Sequence, residues 1–219
     1  MRYLQLIIKA CVLLYLLTGF TGCFKDLTHI TVVYHNDFEN ADTSQTLKIN
    51  GFNSNGGYAT FDIRTRYFNG SKVLGKFNSN AVTVALANLP SHDIIRTEYD
   101  LYIHDKWKND LWKMTVDNSD QLLTGFSNDS SVQQSYPNWL GNGSPTGPAG
   151  RNAVSTHLAG TCGLQGSAQG SSQYHIIQTI SHTQPNFTLI LSDAGAFFND
   201  TCQRSWSVDN LNISLIRNR

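Results

Sequence analysis

The chain has 219 residues, with 16 basic and 16 acidic side chains, so its formal charge is zero. No basic stripe interrupts that balance, which excludes a nucleic-acid surface and electrostatic adsorption to a membrane as the main function. Charged residues are few and aromatics make up 11%, and the Asn-, Ser-, Thr- and Gly-rich background reads as an all-β extracellular module.

The first segment, 1–22, reads as a secretory signal. Arg2 and Lys9 flank a short apolar run over 10–20, and Phe20-Thr21-Gly22-Cys23 follows. A basic start, an apolar middle and small residues at a cut site are the marks of export. The run is too short, and too interrupted by Gln5 and Lys9, to span a bilayer. Its ending on Thr-Gly-Cys resembles a bacterial lipobox, which implies lipidation of Cys23 as the first mature residue. Residues 23–28 then form a tether, with Cys23-Phe24-Lys25-Asp26 similar to the short export tag of surface lipoproteins. The expectation is an exported protein on the outer membrane or cell surface, meeting the membrane through its lipid anchor only.

Of the four cysteines, Cys11 leaves with the signal and Cys23 takes the lipid. Cys162 and Cys202 remain, and in an exported chain they are expected to form a disulfide. No His or Cys stands near either at zinc-motif spacing. Closing that loop stabilises the fold by roughly 4 kcal/mol in the chain-entropy description. Asn69, Asn128, Asn142, Asn186, Asn199 and Asn212 each head an Asn-x-Ser/Thr triplet. In a eukaryotic secreted protein these are glycosylation acceptors; in a chain this rich in Asn, Ser and Thr they also arise by chance.

From residue 29 to 219 the pattern is strand after strand. Ile30, Val32 and Tyr34 alternate with polar neighbours. Short runs follow over 46–49 and 58–63, then Val82, Val84 and Leu86 share one side of 80–89. Tyr99, Leu101 and Ile103 share one side of 94–104, and Trp112, Met114 and Val116 one side of 111–116. Alternation returns over 174–180 and 187–191, and in 207–216 it aligns Leu211, Ile213 and Leu215. Period-two alternation packs one face and leaves the other in water. Nine or ten such segments with turns between them predict an antiparallel β-sandwich of jelly-roll type. The stretch 127–152 has neither period and reads as a long loop, a type that is usually functional.

Several phrases then stand in a characteristic order: Leu89-Pro90-Ser91-His92, Tyr99-Asp100-Leu101-Tyr102-Ile103, Trp107, Trp112, Val116-Asp117, Phe126-Ser127-Asn128, Gln134-Ser135-Tyr136-Pro137 and Ser205-Trp206-Ser207-Val208-Asp209-Asn210. Over 30–216 this order resembles an extracellular jelly-roll module of bacterial secreted and surface proteins, similar in outline to MAM domains and calcium-bearing carbohydrate-binding modules. The resemblance implies a structural Ca²⁺ between Asp37-Phe38-Glu39 and Asp209-Asn210, with Glu39, Asp209 and Asn210 as its residues. Alternation places Asp209 on the side of Leu211, Ile213 and Leu215, and an inward carboxylate needs a cation or several donors. The chain departs from the family at Gln203, Arg204 and Ser207 and at Lys108-Asn109.

Catalytic patterns are missing from the sequence. The mature part has only Glu39 and Glu98 as glutamates, and no Gly-x-Ser-x-Gly elbow, His-Glu-x-x-His or phosphate loop. Tyr174 and His175 are neighbours on a strand and point to opposite faces. The ligand candidates are Glu98, Asp100, Tyr102 and His104, which share one strand face, with Trp107 beyond it and Tyr136 and Trp139 in the long loop. Exposed rings stack on sugars and anchor protein interfaces; the same three could instead close one end of the sandwich. Trp112 and Trp206 read as core. The leading expectation is a non-catalytic binding or adhesion module for a glycan or an envelope protein. The alternatives are a polysaccharide-acting enzyme on a concanavalin-like sandwich and a purely structural surface protein.

Overall fold

The computed structural model describes residues 28–40, 45–52, 57–194 and 201–217. The signal, Cys23 and nearly all of the tether therefore lie outside the described residues. Thirteen strands and no helix are found among them: β1 His29–Asn36, β2 Leu47–Phe52, β3 Tyr58–Phe61, β4 Thr65–Phe68, β5 Ser71–Phe77, β6 Asn80–Leu86, β7 Ile94–Asp105, β8 Lys108–Val116, β9 Ser119–Ser127, β10 Ser155–Leu158, β11 Ser171–Ser181, β12 Phe187–Asp193 and β13 Arg204–Arg217.

The strands form two antiparallel sheets, as the alternation predicts. One runs β10-β11-β7-β13-β5-β4, with β1 pairing the far half of β13; the other runs β3-β2-β6-β12-β8-β9. The inward residues of both seal one core. Trp112 and Trp206 are fully buried, with ring centroids 6.0 Å apart in a T-shaped contact. Tyr99, Leu101, Ile103, Leu211, Ile213 and Leu215 line the same core. Trp112 also meets Phe126 edge to face, an arrangement that ring quadrupoles favour.

Two bulges change faces that strict alternation would assign. In β1 the register slips between Val32 and Tyr34. Val33 and Tyr34 pack on the core, whereas Ile30 and Val32 are more than half exposed. In β13 the register against β7 slips between Asp209 and Asn212, and Asn210 takes a positive φ of 52°. An extra residue in one strand turns the side chains after it over. Asp209 therefore pairs Asp100 on the outer face of the sheet, opposite to Leu211. The inward placement expected for it is corrected, although Asp209 is still only 2% exposed.

β4 and β5 were invisible to periodicity because β5 must pass close to β13. Gly75 sits at φ 139°, and a Cβ there would lie 2.8 Å from Ser207 Oγ and 3.0 Å from the Trp206 carbonyl oxygen. The loop 128–154 contains no strand, as its composition implies, apart from an isolated bridge between Gln134 and Gly147. Its anchor is Gln134, fully buried. The Gln134 side-chain oxygen accepts from the Ser127 and Gly150 amides and the Tyr174 hydroxyl; its amide nitrogen donates to the Tyr136 and Arg151 carbonyls.

Candidate functional site

The outer face of the first sheet carries the polar chemistry of the molecule. Glu98, Asp100, Tyr102 and His104 do share this face of β7. It is not uniformly wet. Phe68 of β4 lies edge-on over Tyr102 and His104, with centroids 5.3 and 4.6 Å away. Tyr102 is 3% exposed and His104 is fully buried, so neither is an open ligand contact. His104 spans Ser171 Oγ at 3.0 Å and Ser207 Oγ at 2.9 Å. Burial pushes its imidazole down to about 3, so it is neutral. Burial, then the Asp100 and Asp209 carboxylates, push the Tyr102 phenol up to about 12, against a hydrogen bond from Asn69.

Glu98 and Asp100 remain part-exposed. His175 of β11 lies between them, with Nδ1 2.9 Å from Asp100 Oδ1 and Nε2 3.1 Å from Glu98 Oε1. Both ring nitrogens face carboxylates, and the hydrogen bond to Asp100 is the main cause of its raised pKa. Arg96 pairs with the other oxygen of Glu98 at 2.9 Å, and Asn210 donates to Asp100 Oδ2.

The three aromatic candidates do not converge on a groove. Trp107 is fully buried, donates its indole N–H to the Ser205 carbonyl and lies under the Arg204 guanidinium. Tyr136 is 6% exposed, stacks on Phe126 of β9 and meets Tyr174 of β11 edge to face. Trp139 is half-buried against Tyr136 at 6.3 Å. These rings close the gap between the edges of the two sheets, so ligand stacking on Trp107 and Tyr136 is corrected to packing. Cys162 and Cys202 form the expected disulfide.

A cleft of about 350 Å³ opens beside Tyr102 and was not read from the sequence. One wall is Arg66, Tyr67, Phe68 and Asn69; the other is Leu158, Ala159, Gly160 and Thr161. The second wall is held by Asp105, which accepts from the Thr161 amide and hydroxyl and from the Cys162 and Leu164 amides, and pairs with Lys76 at 3.7 Å. Tyr67 is 73% exposed. Among the described residues Arg66 has no ion-pair partner. An aromatic, an arginine and an asparagine among the residues lining one hollow suit a flat, hydroxyl-bearing ligand. Thr65-Arg66-Tyr67-Phe68 is a strand with an exposed aromatic, and that was the available signal.

The calcium candidates can be tested for fit. Glu39 Oε1 accepts the Lys72 amide, and Lys72 Nζ donates to the Glu39 carbonyl. Asp209 accepts from Ser71 Oγ and the Asn210 amide. Burial raises its pKa, and the Asp100 and Glu39 carboxylates raise it further. Among the described residues no three His, Cys, Asp or Glu side chains converge as a metal cluster. The Glu39 and Asp209 carboxylates are nonetheless hard oxygen donors of the kind Ca²⁺ takes. The donor chemistry fits through Glu39 and Asp209, while the Asn210 amide is turned to Asp100.

No protein-family model and no curated protein sequence matches the chain. Among solved structures it is similar to a family 35 carbohydrate-binding module from Clostridium thermocellum (9% identity, 84% of this chain and 97% of that one, TM-score 0.36). It is also similar to dimeric latent PorU from Porphyromonas gingivalis (7%, 90% and 13%, 0.43). A third is the C-terminal family 6 carbohydrate-binding module of a marine laminarinase from Zobellia galactanivorans (12%, 86% and 98%, 0.25). Likeness at this level carries neither ligand nor activity across to this chain.

Proposed function

We propose that this chain is an exported, lipid-anchored, non-catalytic module that binds a glycan in the cleft between β4 and the segment 158–161. The observation that carries the reading is that exposed Tyr67 and Arg66, which has no ion-pair partner among the described residues, both line that hollow. Tyr67 supplies a ring for a sugar face, while Arg66 and Asn69 supply hydrogen bonds to ring hydroxyls or a carboxylate. Placement supports it. Phe68 lines the cleft and touches His104, near the far end of β7, whereas the tether joins β1 at the end where Ile30, Ile216 and Ile94 are in register. Ten residues of strand separate those ends, about 33 Å, so an anchor at Cys23 leaves the cleft facing away from the lipid.

The test is a glycan array with the mature chain, followed by calorimetry on any hit. Tyr67→Ala and Arg66→Ala are each expected to weaken binding about tenfold, the effect of losing one stacking or charge-assisted contact, with melting unchanged. Absence of retention by every glycan, or wild-type affinity in both variants, overturns the reading.

A further inference from the structure

At the pole away from the cleft, three loops meet in a chain of hydrogen bonds that none of the readings above uses. His92 lies between β6 and β7, His182 between β11 and β12, and Asp117 in the β8–β9 turn. The histidines are 4% and 8% exposed. His92 Nδ1 is 2.6 Å from the Pro90 carbonyl oxygen, His92 Nε2 is 2.7 Å from His182 Nδ1, and His182 Nε2 is 2.9 Å from Asp117 Oδ2. The ring planes differ by only 12°, with centroids 5.0 Å apart, so the atoms in contact are edge nitrogens whose lone pairs lie in the rings.

Counting protons decides what this chain is. A carbonyl oxygen only accepts, so His92 Nδ1 carries a hydrogen. His182 Nε2 meets a carboxylate, whose other oxygen accepts the Thr188 amide, and needs one too. A neutral imidazole has a single N–H, and both are then committed outward. Two neutral rings would point bare lone pairs at each other across 2.7 Å. The contact exists only with one further proton between the rings, giving the pair three protons and one positive charge, which Asp117 offsets. A second extra proton would set N–H against N–H and break the contact equally.

We propose that His92, His182 and Asp117 form a proton-locked clasp between the two sheets. The clasp ties β7 and β11 of one sheet to β8 and β12 of the other. It closes while the pair shares its proton and opens as rising pH removes that proton. Other groups face it. Asp93 presents its carbonyl to the His182 amide, Phe187 of β12 offers a ring edge at 5.6 Å, and His29 of β1 and Arg217 of β13 share a 180 Å³ hollow with Pro90 and Ser91. Asp117 and Asp93 favour the bound proton, and positive charge on Arg217 or His29 opposes it.

Nitrogen-15 NMR of the mature chain tests the count. Near neutral pH the two rings are expected to hold three protons, with coupling across the His92 Nε2–His182 Nδ1 bond that disappears when the shared proton is lost. Two neutral imidazoles with no such coupling overturn the proposal. Opening is read at the His182 and Leu89 amides, which bond to the Asp93 and Pro185 carbonyls. Their exchange, corrected for its intrinsic rate, should rise about tenfold once the shared proton is lost. Asp117→Asn keeps an acceptor for Thr188 and removes the countercharge, so loss of the proton should shift to lower pH. An unchanged titration in that variant also overturns the clasp. His182→Gln should abolish the pH dependence of exchange.

Discussion

Asp105 is the residue on which most local order turns. It is fully buried beneath four hydrogen bonds and the Lys76 ammonium. Burial alone would push its carboxyl up, but the bonds from Thr161, Leu164 and Cys162 outweigh it and hold the pKa below the usual range. Its contribution is therefore present above pH ~4 and lost as pH falls through the folded value. Neighbouring His104 acts in the same direction. It is neutral when folded, with a pKa of about 3, whereas the unfolded chain takes up a proton near pH ~6.5; stability is lost between those values on acidification. Melting should fall progressively below pH ~6.5, and His104→Gln should flatten the upper part of that fall. Asp105→Asn should cost roughly 3 kcal/mol, the scale for breaking a buried pair, and should loosen the 158–161 wall. A flat melting profile from pH 7 to pH 4 would contradict the His104 assignment, and a profile that stays flat below pH ~4 the Asp105 assignment. Residue identity alone marked Trp112 and Trp206 as core but could not separate a ring that covers an edge from one that faces solvent, which is why Trp107 and Tyr136 looked like ligand contacts.

Elements with clean alternation were legible: β6, β7, β8, β11, β12 and β13 fall where the pattern sets them. Strands broken by function or crossing were not. β9 carries adjacent leucines, Leu122 and Leu123, and β5 carries Gly75 at its approach to β13. The bulge of β13 explains a second misreading. It leaves Asp209 on the outer face, where Ser71 of β5 donates to it and the Glu39 carboxylate adds to the rise of its pKa, so a carboxylate that seemed to enter the core lies outside it. Ca²⁺ binding at Glu39 and Asp209 remains our proposal. Melting of the mature chain should rise with Ca²⁺ and fall on chelation, with Mg²⁺ ineffective because it demands stricter octahedral geometry. Asp209→Asn should remove the Ca²⁺ response; no change on chelation of the wild type ends the idea.

For the whole molecule the informative relation is between its two poles. The start of β1 and the His92–His182 clasp lie at one, the cleft and the disulfide at the other. A six-residue tether reaches at most about 20 Å, so lipidation at Cys23 would keep the clasp pole near the membrane and present Tyr67 outward. Cys23→Ser should move the protein from the membrane fraction to the soluble exported fraction, since a diacyl anchor holds where a single chain does not. Mass spectrometry of the wild type should find the lipid on residue 23. A soluble, unmodified wild type would refute the anchor and leave the cleft reading standing.

The sequence by itself determined that this is a layered β protein with a disulfide, because side-chain period and cysteine count are local properties of the chain. Tertiary structure decided which polar face is open, which aromatic rings are sealed, and where a ligand could enter. Those depend on bulges that reverse strand faces and on distant segments, Phe68 over His104 and Asp105 under Thr161, brought together only by folding.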